Sequence, residues 1–126
     1  GLGVHVGQIA GAPEGYGAGV WTPHANFADA DGTVPDEITW AALDCPGSMA
    51  WWLKTESHVG LLGTMAGEVL KKPKVGETYI VVAWAEKVEG RKHFAGVALY
   101  DQSGELMARG GQIWIGRPPA PPQAAA

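Results

Sequence analysis

Apolar and polar positions change rhythm several times along the chain. In "GVHVGQIAG" (residues 3–11) Val4 and Val6 alternate with His5, and "YGAGVW" (16–21) follows a Gly/Pro turn, so the first stretch predicts a glycine-rich hairpin of two strands. Pro, Gly, Asn and Asp then crowd residues 22–35, the composition of a loop. From about residue 35 the spacing turns helical. Ile38, Ala42, Cys45, Met49 and Trp52 fall in one stripe at about 100° per residue, which predicts the core face of a helix running through Pro46. Pro35 suits a first turn, where its missing N–H is no loss, and Thr33 with Asp36 has the spacing of a capping box with Asp in place of Glu or Gln.

Four strand-like runs come after the helix: "GLLGTMAGEVL" (60–70), "TYIVVAWAEKV" (78–88), "KHFAGVALYD" (92–101) and "LMARGGQIWI" (106–115). "EGR" and "DQSGE" have the chemistry of tight turns, so the last three strands are predicted to form an antiparallel meander. Residues 1–117 therefore read as one domain, and the Pro/Ala-rich residues 118–126, without an apolar anchor, as a disordered tail. There is no internal repeat.

Composition narrows the function classes. The chain has 126 residues, 46% of them hydrophobic, enough for a sizeable core. A net charge of -4, with no basic run longer than Lys71-Lys72 or Arg91-Lys92, argues against nucleic acid as a partner. A single cysteine and four scattered histidines predict no metal site, no disulfide and a reducing, cytoplasmic setting. No apolar run reaches the roughly 18 residues of a membrane span, so no membrane association is expected. Gly1 is not an initiator Met, which leaves room for an upstream segment. Six tryptophans and nineteen glycines imply more apolar surface than one sheet around one helix covers, and predict a homodimer that pairs its sheets, or a homotetramer.

Asp44 breaks the local rules. An ionised carboxylate among tryptophans and alanines has to be desolvated, paired or shared with a ligand, and each is costly without compensation. It sits about 100° off the predicted stripe, on a flank with Glu37, Ala41, Ser48 and Trp51. The dipole disfavours an acid late in a helix, and Pro46 removes a backbone bond just beyond it. Asp44 therefore either caps the segment after Pro46, accepting from the Gly47 or Ser48 N–H, or faces a substrate. Glu37 has the place of a solvated first-turn acid or of a catalytic partner. Cys45, on the stripe and without a histidine partner, reads as a buried small hydrophobe rather than a nucleophile. Trp40, Trp51 and Trp52 suit either a core or an aromatic pocket. His58 and His93 read as ordinary surface histidines.

The order β–β–α–β–β–β–β around one long helix is the layout of a hotdog fold. The chain resembles hotdog-fold acyl-CoA thioesterases, particularly the type from phenylacetate and aryl-CoA metabolism, whose helix opens with a G-x-V-H-G-G signature and carries a catalytic aspartate. In "DGTVPDEITWAALD" Gly32 and Val34 match, Pro35-Asp36-Glu37 stand where His-Gly-Gly would be, and Asp44, eight residues after Asp36, lands on that aspartate. The Gly90-Arg91 turn and the D-x-x-G-x-L-x-A run from Asp101 to Ala108 also look like the family's sheet. The resemblance covers roughly residues 2–115.

What it implies is an α+β chain, an antiparallel sheet wrapped around one long central helix, that hydrolyses acyl-CoA or another thioester. Asp44 would be base or nucleophile with Glu37 as its partner acid, and backbone N–H groups around Asp36 and Glu37 would receive the oxyanion. Trp40, Ser48 and Trp51 would line the acyl site, and Arg91 and Lys92 either solvate their turn or meet the coenzyme A phosphates. No separate cofactor is implied, coenzyme A being part of the substrate. The alternatives are a non-catalytic acyl-CoA or small-lipid binding protein and an enoyl-CoA hydratase of the same fold. The hydratase needs a histidine about five residues after the aspartate, where this chain has Met49.

Overall fold

A computed structural model describes residues 4–56 and 60–116. The predicted tail and His58 lie outside the described residues. The elements in chain order are β1 (Gly7–Gln8), β2 (Tyr16–Trp21), a 3-10 turn at Ala25–Phe27, α1 (Asp36–Asp44), α2 (Pro46–Thr55), β3 (Leu61–Val69), β4 (Tyr79–Glu89), β5 (Lys92–Tyr100) and β6 (Leu106–Ile115). β2 to β6 fall within the stretches read as strands, while the first strand of the predicted hairpin is only Gly7–Gln8, with Val4 and Val6 outside it.

The strands form one antiparallel sheet in the order β1-β2-β4-β5-β6-β3. The β4–β5–β6 meander is as predicted, because its turns are local. At the second turn Asp101 Oδ1 accepts from the Ser103 and Glu105 N–H groups, each at 2.9 Å. β3 is carried past the meander to the far edge, where its outer side has no strand neighbour among the described residues. The helices lie across one face, α2 chiefly on β4 and β5. Small residues on that face, Ala83, Ala85 and Ala95, let the helix sit close, and Val81, Val97, Leu99 and Tyr79 complete a core with Ala42, Leu43 and Ala50. Burying each larger apolar side chain contributes about 1.5–3 kcal/mol. No helix among the described residues is long and apolar enough to cross a membrane.

α1 and α2 are one helical course with a break in its bonding. Cys45 keeps helical angles, φ −66 and ψ −31, while Pro46 has no N–H to offer Ala42. The buried face differs from the predicted stripe by about one residue. It consists of Thr39, Ala42, Leu43, Pro46, Gly47, Ala50 and Trp51. Cys45 is exposed instead of buried, and Trp52 is 44% exposed. The cause is physical: the segment is apolar on nearly all sides, so hydrophobicity does not mark the buried one, and the side taken carries Ala42, Gly47 and Ala50, where the helix can sit close to the sheet.

The predicted capping box does not form. Pro35 occupies the N-cap without a side-chain hydrogen bond, and the Thr33 hydroxyl donates to Asp31 instead. That bond, with the Thr33 N–H, holds the Asp31 carboxyl below the usual carboxylate range. Thr33 is drawn away because its backbone bridges Lys74, tying the loop before α1 to the loop after β3.

Candidate active site

The helix break builds the surroundings of Asp44. Its side chain is half-buried, and among the described residues no hydrogen bond or ion pair reaches its carboxylate. α2 has no side-chain cap. The Ser48 N–H goes to Cys45 O at 3.0 Å and the Ser48 hydroxyl to the same oxygen at 2.8 Å. Asp44 is therefore not the cap of the second segment, which removes the main structural reason for an acid at this place.

Trp40 and Ser48, one helical turn before and after Asp44, share its flank and are both half-buried. Trp51 lies apart from them. It is 2% exposed, packed with Ala85, Ala95 and Trp114, and its Nε1–H donates to Phe94 O at 3.0 Å. Within one chain that makes Trp51 a core residue. His93 is not an ordinary surface histidine, since it is half-buried and meets the Trp51 ring edge-on with centroids 4.9 Å apart.

Asp36 and Glu37 stand exposed in the first turn of α1, about 12 Å from Asp44 at 1.5 Å rise per residue. Asp36 has a loose ion pair with Lys72 at 3.7 Å, both side chains half in solvent, which is worth little. Arg91 and Lys92 turn the corner from β4 to β5. Arg91 Nε–H donates to Gly116 O at 3.0 Å, and Lys92 is exposed. Asp44 meets β6 at Gln112, which is level with Ala95, three strand positions or about 10 Å from Lys92. One chain therefore gathers Asp44, Trp40 and Ser48, and leaves the helix start and the hairpin basics elsewhere.

One residue at this place was missed by the pattern of the sequence. Gln112 on β6 is 2% exposed and reaches the helix break. Its Nε2 lies 2.9 Å from both Leu43 O and Asp44 O, and its Oε1 accepts from Trp114 Nε1–H at 2.9 Å. The available signal was alternation: Ala108, Gly110, Gln112 and Trp114 share the helix-facing side of β6, so an amide there had to find partners.

A shallow groove of about 480 Å³ lies elsewhere, over Ala66, Trp84, Arg109 and Gly111. Trp84 alternates with the core residues Ala83 and Ala85, so the groove is on the side of the sheet away from the helices and does not include Asp44. Among the described residues no group of three or more His, Cys, Asp or Glu is arranged to hold a metal ion.

No protein-family model matches the sequence, and no curated protein matches it significantly. Solved structures do match its fold. Zebra fish thioesterase superfamily member 2 superposes with a TM-score of 0.76 at 22% identity, over 90% of this chain and 81% of that one. The PaaI protein from the E. coli phenylacetic acid degradation operon gives 0.77 at 12% identity, over 90% and 83%. The Streptococcus mutans protein smu.793, solved bound to acetyl CoA, gives 0.77 at 10% identity, over 90% and 88%. The chain has the hotdog fold of these thioesterase superfamily structures.

Proposed function

We propose that this hotdog chain hydrolyses acyl thioesters, with acyl-CoA as the substrate class and Asp44 as base or nucleophile. The observation that carries this reading is the carboxylate itself: half-buried at a break in the helix, without a hydrogen-bond or ion-pair partner among the described residues, and not a cap. The reading is supported by the fold it shares with thioesterase superfamily structures, one of them bound to acetyl CoA.

The chemistry needs few groups. As a base, Asp44 takes a proton from a water whose oxygen adds to the thioester carbonyl carbon. The C–S bond then breaks, and the thiolate leaves with the electron pair and is protonated. As a nucleophile, the carboxylate adds to that carbon itself, the thiolate leaves with the C–S electron pair and is protonated, and water opens the resulting anhydride to free acid and regenerated carboxylate. Either route puts negative charge on the carbonyl oxygen, which N–H groups at the start of α1, around Asp36 and Glu37, would stabilise with the helix dipole. Trp40 and Ser48 would flank the acyl group. Glu37, in the same first turn, is assigned as the second acid.

Helix start and Asp44 are about 12 Å apart, so they cannot act on one carbonyl within one chain. A second copy has to supply one of them. β3 offers the means: a nine-residue edge strand with no Lys, Arg or Pro to blunt it, open on one side among the described residues, and with Leu61 78% exposed. We assign β3 to pairing between copies in a homodimer, with a homotetramer formed from two of these. Arg91 and Lys92 are assigned to the phosphates of coenzyme A, and the compartment to the cytoplasm.

The second reading is a binding protein without turnover. It is favoured by one feature, the side chains of Asp36 and Glu37 at a helix start where the resembling signature has glycine. An acyl-CoA panel separates the two, with thiol release followed by a chromogenic thiol reagent and melting followed in parallel. Thiol release proportional to protein supports hydrolysis. A raised melting temperature with acyl-CoA and no thiol release gives the binding protein, and neither response refutes both.

A further inference from the structure

Pro46 has no N–H for Ala42 O, and the turn after it diverts the donor that Asp44 O would otherwise have. In an uninterrupted helix Asp44 O would accept from Ser48 N–H, but that N–H is bonded to Cys45 O at 3.0 Å, and Met49 N–H is bonded to the same oxygen at 3.1 Å. Gln112 supplies a donor to Asp44 O and reaches Leu43 O as well. Its Nε2 stands 2.9 Å from Leu43 O and 2.9 Å from Asp44 O, so the two amide hydrogens are matched to two consecutive carbonyls. The orientation of the amide is determined: Trp114 Nε1 can only donate, so the atom 2.9 Å from it is the oxygen. The remaining contact, Met65 Sδ at 3.4 Å from Nε2, closes the shell.

Gly47 belongs to the same device. A Cβ at that position would overlap Gln112 Oε1 and come within 3.0 Å of Trp114 Nε1, so only glycine lets the helix approach the amide. A glutamine this buried, with its acceptor and donor both used and a glycine opposite to admit it, holds the backbone from which the Asp44 side chain projects.

From this geometry we infer that Gln112 is a positioning residue for Asp44: it clamps the carbonyls of Leu43 and Asp44 and so fixes where the Asp44 carboxylate points. This rests on the assignment of Asp44 as base or nucleophile. Gln112 itself is not placed against substrate. Its effect passes through the backbone of residue 44, and a displacement of about 1 Å at a reacting group costs on the order of 10²-fold in rate.

The test is a four-protein cycle of wild type, Gln112→Met, Asp44→Asn and the double variant, assayed for acyl-CoA hydrolysis well below each melting temperature. Methionine keeps the volume and removes the amide. The expected result is a kcat about 10–100-fold lower for Gln112→Met with KM within about threefold, and a double variant no slower than Asp44→Asn alone. A loss from general weakening of the fold would multiply with the Asp44→Asn loss, and multiplied losses overturn the inference. So does a Gln112→Met enzyme with near-normal kcat when Asp44→Asn is inactive. Near-normal turnover by Asp44→Asn fails the Asp44 assignment itself, and is recognised from that single variant. Should Gln112→Met not fold, Gln112→Asn, which withdraws the amide by one methylene, takes its place in the cycle with the same outcomes.

Discussion

Thr39 offers the sharpest prediction about stability. It sits on the buried side of α1 with no exposure, and its hydroxyl has no hydrogen-bond partner among the described residues. The usual refuge of a helical threonine, the carbonyl four residues back, is occupied: Pro35 O already accepts from Ile38 N–H at 3.0 Å and Thr39 N–H at 3.3 Å. An unpaired buried hydroxyl costs about 1–3 kcal/mol, and valine has the same shape and a similar helix propensity. Thr39→Val should therefore raise unfolding stability by about 1–3 kcal/mol. At about 4 °C per kcal/mol for a domain near this size, the melting temperature should rise by roughly 4–12 °C. Urea unfolding with an unchanged m-value is the assay. Equal or lower stability would contradict this prediction, because it would mean that the hydroxyl is satisfied by a group outside the described residues, such as a second copy or water.

Three further outcomes follow from the same structure. Glu56 ends α2 in the left-handed region at φ 58 with its N–H on Trp52 O, so Glu56→Gly should stabilise the fold by about 0.5–1 kcal/mol in the same urea titration. The Asp101 carboxyl is held below the usual carboxylate range, first by the Ser103 hydroxyl and then by backbone N–H groups, so its contribution is present at neutral pH and lost as pH falls through its folded-state value. Asp101→Asn should accordingly flatten the loss of stability below about pH 4 relative to wild type, and equal acid sensitivity would contradict the bonding seen in the turn. Replacing Arg91 and Lys92 together by alanine should raise KM for acyl-CoA while leaving turnover of a short thioester without the nucleotide unchanged, and equal losses for both substrates would remove them from the phosphate site.

What was legible in the sequence was local. The meander could be read because Gly90-Arg91 and the Asp101–Glu105 turn specify their own geometry. The place of β3 could not, since moving a strand past three others to the far edge is decided by packing of the whole sheet. The helix was found but its buried side was turned by one residue, because Cys45, Met49 and Trp52 are as apolar as the Ala42, Gly47 and Ala50 that the sheet accepts. Asp44 stood out by breaking helix rules. Gln112 did not, since a glutamine after two glycines looks like surface until its side of β6 is known.

The claim that Asp44 performs the chemistry is tested most directly by the steady-state kinetics of Asp44→Asn on acyl-CoA. The amide keeps shape and volume, so the account predicts a kcat about 10²–10⁴-fold lower with KM and melting temperature nearly unchanged. Hydrolysis within about threefold of wild type would contradict it and move the base to another acid, Glu37 first, or remove catalysis from the helix altogether.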